Sequence, residues 1–193
     1  MGVTLIAGTE KGAWIYRHDG GGWKTGEPVF KGWKVTALAR DRGGRTFAGV
    51  SSFVYGTTIQ SSTDLAKWTQ APAGPSYPEG GKLKMKQIWR IHGDGGRYWA
   101  GVDEGGLFTS ENGDAWTPVQ GLNEHPTADA WQPGNGGLCL HSILVDPKNP
   151  KRAWVGISAV GAWRTDDGGA TWAAKNQGVP VIIEDKVHKD IGY

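Results

Sequence analysis

Apolar positions in this chain fall into short runs that alternate with polar residues or close on a glycine. No window carries the three-and-four spacing of an amphipathic helix. One kind of run ends in Gly: Leu5-Ile6-Ala7-Gly8, Phe47-Ala48-Gly49, Trp99-Ala100-Gly101 and Trp154-Val155-Gly156. A second starts at Gly and alternates: Gly12 to Tyr16, Gly56 to Gln60, Gly106 to Thr109 and Gly161 to Arg164. A third precedes three of these sets, over Lys34–Ala39, Gln87–Ile91 and Leu140–Val145, and runs on to Asp41, Asp94 and Asp146. Each run is strand-length, rich in β-branched and aromatic residues, and bounded by Gly, Asp, Asn or Pro.

The same order of runs recurs, so the chain is a repeat. Each unit is four short antiparallel strands, A to D, and a polar turn followed by Trp separates C from D. The turns hold Asp19 and Trp23, Asp64 and Trp68, Asn112 and Trp116, and Asp167, Gly169 and Trp172. The four Trp stand 45, 48 and 56 residues apart, which suits a four-stranded propeller blade. The two longer gaps hold Gly- and Pro-rich insertions at 71–86 and 117–138. The expectation is an all-β chain, a β-propeller of four-stranded antiparallel blades with about four blades per chain. Residues 34–71, 86–119 and 138–174 supply full blades. Residues 3–25 supply B, C and D alone, and the stretch 180–188 supplies one more strand that could complete that first blade.

The turns are structural in this reading. A carboxylate or amide in a tight turn accepts backbone N–H bonds, and Trp covers the hairpin while keeping one N–H for a carbonyl. The acidic ligand set of a Ca²⁺ site is absent.

Thr165-x-Asp167-x-Gly169-x-Thr171-Trp172 resembles the Asp box, or BNR repeat, of sialidases, Vps10/sortilin-type propellers and bacterial sialidase-like proteins. The other three copies are one residue shorter between Asp or Asn and Trp. The stretch from Trp131-Gln132-Pro133-Gly134 to Ile143 is similar to a bacterial branch of these propellers labelled glycosyl hydrolase or exo-α-sialidase. The resemblance implies relatives that are longer and close more blades, so the chain corresponds to half of such a ring. Three arrangements follow: two copies closing one ring, a self-closed four-bladed ring, or a piece of a longer parent. The symmetric dimer is favoured, because closed two-fold assemblies are the commonest solution.

Composition narrows the function. The net charge is +2 with dispersed Lys and Arg, which gives no basic stripe for nucleic acid. Lys82-Leu83-Lys84-Met85-Lys86 is the one local basic cluster and reads as a solvated loop. Cys139 has no second cysteine to pair with and reads as a core residue. No apolar stretch is long enough to span a membrane, and no leader signature opens the chain, so a cytoplasmic location is the default. Nothing calls for a cofactor or a metal.

A ligand is expected on the face bearing the longer D–A and B–C loops, in or beside a channel lined by the A strands. Aligning those strands on their terminal Asp puts Thr36, Trp89 and His141 at one position, with His188 near it. The candidate binding residues are Trp89, Arg90, His125, Trp131, His141 and His188. Trp131 stands with Asp129 and Asn123, and Tyr77 with Glu79, as aromatic–polar pairs suited to a glycan, peptide or partner protein. The rival class is a glycoside hydrolase of the sialidase type that the resemblance implies. Sialidase chemistry grips a carboxylate with three Arg. Here most of the eight Arg fall in A–B turns or on strands, and only Arg90 lies near the channel. Asp103, Glu104, Glu124 and Asp129 remain as carboxylate candidates for acid–base work.

Overall fold

The computed structural model describes residues 2–93, 96–179, 181–183 and 186–188, the last two segments as backbone. The first sheet holds β1 (Val3–Thr9), β2 (Gly12–His18) and β3 (Trp23–Thr25). The second holds β4 (Lys34–Arg40), β5 (Thr46–Ser52), β6 (Gly56–Ser62) and β7 (Thr69–Gln70). The third holds β8 (Ile88–Gly93), β9 (Tyr98–Val102), β10 (Leu107–Ser110) and β11 (Thr117–Pro118). The fourth holds β12 (Leu140–Asp146), β13 (Asn149–Ile157), β14 (Gly161–Thr165) and β15 (Ala173–Ala174). Every sheet is an antiparallel meander in chain order, the arrangement of a propeller blade. The 117–138 insertion contributes a one-turn helix α1 (Gln120–Asn123) and a 3₁₀ turn at Ala128–Ala130.

The first sheet has three strands, as its sequence implies, and β1 is left as an edge. The expected single strand at 180–188 is instead a hairpin, β16 (Val181–Ile183) paired with β17 (Lys186–His188). Neither strand is hydrogen-bonded to β1. In the sequence the two strands are separated by Glu184-Asp185.

Three apolar clusters join successive sheets. Ala13, Val35, Ala48 and Val50 join the first to the second. Phe47, Ile59, Ile88, Ile91, Tyr98 and Phe108 join the second to the third. Trp99, Leu107, Leu140, Ile143, Val155 and Trp163 join the third to the fourth. The glycines that close the B-strand runs make this spacing possible. A Cβ on Gly49 would lie 2.9 Å from the Ile88 Cβ of the next sheet, and one on Gly101 would collide with the Leu140 carbonyl oxygen. At Gly156 the nearest groups are Ser142 and His141 of its own sheet. Among the described residues the fourth sheet makes no packing on the first comparable to these three joints.

Candidate functional site

The A strands share one irregularity. Each carries a β-bulge near its start, between Val35 and Ala37, Ile88 and Arg90, and Leu140 and Ser142. The bulged residues are therefore Thr36, Trp89 and His141, the three positions that the terminal Asp residues align. A bulge re-aims its side chain, and here the three have different uses. Thr36 Oγ1 donates to the Ile88 carbonyl at 2.6 Å and so ties the second sheet to the third. His141 is exposed, with Nδ1 2.9 Å from Ser142 Oγ. Trp89 is half-buried and donates Nε1–H to Asp103 Oδ1 at 2.5 Å.

Asp103 begins the β9–β10 turn and gathers several partners. Its amide donates to the Gln87 carbonyl, and its carbonyl accepts the Tyr77 hydroxyl at 2.8 Å. The Cys139 thiol lies 3.6 Å from Oδ1 and donates to the Gly136 carbonyl at 3.2 Å. Burial, and next the Asp103 charge, push the Cys139 thiol up to about 11. Burial and the Glu104 and Asp103 charges likewise push the Tyr77 phenol up, so both groups stay protonated at neutral pH. Glu104 follows with φ at 61°, in the left-handed region, and pairs with Lys86 Nζ at 2.5 Å. The basic cluster is thus not wholly a solvated loop: Lys86 is held at the site, and its carbonyl accepts Thr57 Oγ1 at 2.7 Å. Lys82, Leu83 and Lys84 are exposed beside it.

A groove runs across this face. One end is lined by Lys86, Trp89, Asp103, Glu104 and Leu138, the other by Tyr77, Leu83, Glu104, Asp129, Trp131 and Leu138. Its walls come from the two long insertions and the β9–β10 turn, on the face where the long D–A and B–C loops meet.

The other candidates fall as follows. Trp131 reaches the groove but is buried, with its ring 5.2 Å from Trp163 and its Nε1–H on Thr127 Oγ1. His125 packs edge-on to Trp163 at 4.7 Å and pairs Nδ1 with Thr127, an anchoring role. Asn123 bonds both polar atoms to the Leu107 backbone. Arg90 is exposed on β8, and Glu124 is exposed next to α1. His188 lies in β17, and its side chain is outside the described residues. Asp103 and Glu104 adjoin Trp89, and Glu104 shares the groove with Asp129; Glu124 does not line it. No group of three or more His, Cys, Asp or Glu able to hold a metal is present among the described residues.

The C–D turns form on the opposite side. Asp64 Oδ1 accepts the amides of Ala66 and Lys67, and Asn112 Oδ1 those of Asp114 and Ala115. Asp167 accepts the Thr171 amide and hydroxyl. Trp116 and Trp172 are buried and donate Nε1–H to the Gly113 and Gly169 carbonyls. The first copy departs from this. Trp23 is 55% exposed against His18, and Asp19 accepts the Gly21 amide and the Lys24 ammonium.

No family model and no curated sequence matches the chain. Its likeness to known proteins is one of fold. YCF48 from Cyanidioschyzon merolae superposes with a TM-score of 0.58 at 18% identity, over 89% of this chain and 53% of that one. A GH74 xyloglucanase from Xanthomonas campestris superposes with a TM-score of 0.61 at 16% identity, over 93% of this chain and 29% of that one. The chain therefore spans about half of the first protein and under a third of the second, and it shares with them the propeller fold.

Proposed function

We propose that the chain is a binding scaffold whose ligand, a glycan or peptide, lies in the groove between the third and fourth sheets. The carrying observation is the meeting of Trp89, Asp103, Glu104, Lys86 and Tyr77 at one turn, continued by Leu83, Leu138 and Asp129. Apolar walls with a few fixed acceptors and cations are what ligand orientation requires. Glu104 supplies an acceptor, Lys86 and Lys82 supply donors, and Leu83 and Leu138 cover the apolar edges of a sugar ring or an extended side chain. The Asp–Trp turns are the Asp boxes of this scaffold and hold its hairpins. A second copy closes the ring, which supplies the covering that β1 and the fourth sheet lack.

Glycan and peptide arrays probed with the 193-residue chain test the reading. Ligands retained by the wild type and lost by Glu104→Gln and Leu138→Asp support it. Retention by both variants, or no ligand at all, counts against it. Glu104 and Asp129 lining one groove keeps a glycoside hydrolase reading open, and turnover of a fluorogenic glycoside panel separates hydrolysis from binding.

A further inference from the structure

Each joint between full sheets uses the same grip on the turn side. Arg45 donates Nη1–H to the Asn112 carbonyl at 2.7 Å, and Arg97 donates Nη1–H to the Gly168 carbonyl at 2.8 Å. Two residues after each Arg stands an aromatic ring. Arg45 lies over Phe47 at 4.9 Å, and Arg97 over Trp99 at 4.2 Å. The turn of the following sheet seats a glycine against that ring. A Cβ on Gly113 would lie 2.6 Å from the Phe47 ring, and one on Gly169 would lie 3.3 Å from Trp99. Arg-x-aromatic on one sheet thus grips a Gly turn on the next.

The chain also shows the converse. The residue after the turn Asp or Asn has positive φ in all four sheets: Gly20 98°, Leu65 63°, Gly113 77° and Gly168 80°. Where the preceding sheet carries an Arg-x-aromatic pair, that residue is Gly. Ahead of Leu65 the aligned residues are Thr4 and Ile6, with neither guanidinium nor ring, and Leu65 is buried. A large pair therefore meets Gly, and a small pair meets Leu.

Two halves of this contact are left over. The fourth sheet carries Arg152-Ala153-Trp154, the third Arg-x-aromatic pair. Arg152 is turned onto Asp166 and Asp146 of its own sheet, and Arg164 lies over Trp154 at 5.8 Å. The first sheet carries Asp19-Gly20-Gly21-Gly22-Trp23, with nothing within 4 Å of the Cβ positions of Gly20 and Gly22. The giver stands at one end of the arc of sheets and the receiver at the other.

We infer that these ends are the two halves of one head-to-tail interface. Arg152 and Trp154 of one copy grip the Gly20 turn of a second copy, and Trp23 is covered in the process. Both ends of a pair join in this way, so two copies close one ring through two identical joints. Val3 and Leu5 of β1, each 54% exposed, lie at the receiving end. The inference rests on the reading that a second copy closes the ring and names the residues that do so.

The test is native mass by light scattering across a dilution series, on the 193-residue chain and on Trp154→Ala and Gly20→Val, with far-ultraviolet melts to confirm folding. The expected result is a wild-type mass near twice 20.7 kDa. Each variant should raise the dimer dissociation constant by about tenfold or more. A dimer that neither variant weakens overturns this interface and leaves ring closure standing. A monomer at every concentration overturns both. Trp116→Phe, in the third sheet and away from both ends, is the control and should leave the mass of the wild type unchanged.

Discussion

Trp89 and Asp103 are joined by an indole-to-carboxylate hydrogen bond that links the bulge of β8 to the turn after β9. The bond does two things. It fixes the indole on the rim of the groove, and it holds a carboxylate beside the Cys139 thiol. A half-buried acceptor so placed orders the rim before any ligand arrives.

The first prediction follows from that juxtaposition. The Asp103 charge is the second cause, after burial, of the raised Cys139 thiol near 11. Asp103→Asn removes the charge and keeps an acceptor for Trp89. The thiol should then ionise at lower pH and alkylate faster with iodoacetamide in mildly alkaline buffer. Equal rates in wild type and variant would show that Asp103 does not act on the thiol.

A second prediction separates the turn tryptophans. Trp116 and Trp172 are buried and hydrogen-bonded, so alanine at either should cost about 3–5 kcal/mol in urea unfolding. Trp23 is 55% exposed, so Trp23→Ala should cost well under that, by roughly 1 kcal/mol or less in dilute solution where the chain is monomeric. Equal losses at the three sites would contradict the difference in burial.

The sheets were legible because their punctuation is chemical. Gly closes each B-strand run, and in the first three sheets the next sheet presses on it, while Asp or Asn with Trp marks each C–D turn. Those constraints act within or between neighbouring units, and they repeat. The groove was legible only as a face. Trp89 lies on β8 and Asp103 in the turn after β9, and nothing in either run announces that a bulge turns one toward the other. Trp131 and His125 illustrate the limit from the other side: their residue types suit ligand contact, but the insertion folds back and uses them to cover Trp163. The stretch 180–188 reads in sequence as one apolar run, whereas Val181–Ile183 and Lys186–His188 pair as two antiparallel strands.

A third prediction contrasts two aligned glycines. A side chain at Gly101 would meet the Leu140 carbonyl oxygen, a backbone group that cannot step aside. At Gly156 the nearest atoms are side-chain atoms of its own sheet, Ser142 Cβ at 3.2 Å and His141 Cε1 at 3.6 Å. Gly101→Ala should lower stability by about 1–3 kcal/mol, the usual range for overpacking. Gly156→Ala should cost less in dilute monomer. Chemical denaturation of the two variants at one low concentration decides between this order and its reverse.

The last prediction concerns acid. Asp167 is held well below the ordinary carboxylate range, first by the Thr171 hydroxyl and then by the Thr171 amide. Asp64 is lowered by the amides of Lys67 and Ala66. A carboxyl whose folded pKa lies below its unfolded value, about 3.9 for Asp, contributes stability above that value and loses it as pH falls toward the folded one. The melting temperature should therefore drop steadily below about pH 4. Asn112 shows that an amide oxygen can take the same turn bonds. Asp167→Asn should then melt lower than wild type at neutral pH, where the carboxylate accepts the stronger bonds, and the two curves should approach each other in acid. Melts of both proteins across roughly pH 2 to 6 check this, and parallel curves throughout that range would mean that the Asp167 carboxylate contributes nothing to the acid response.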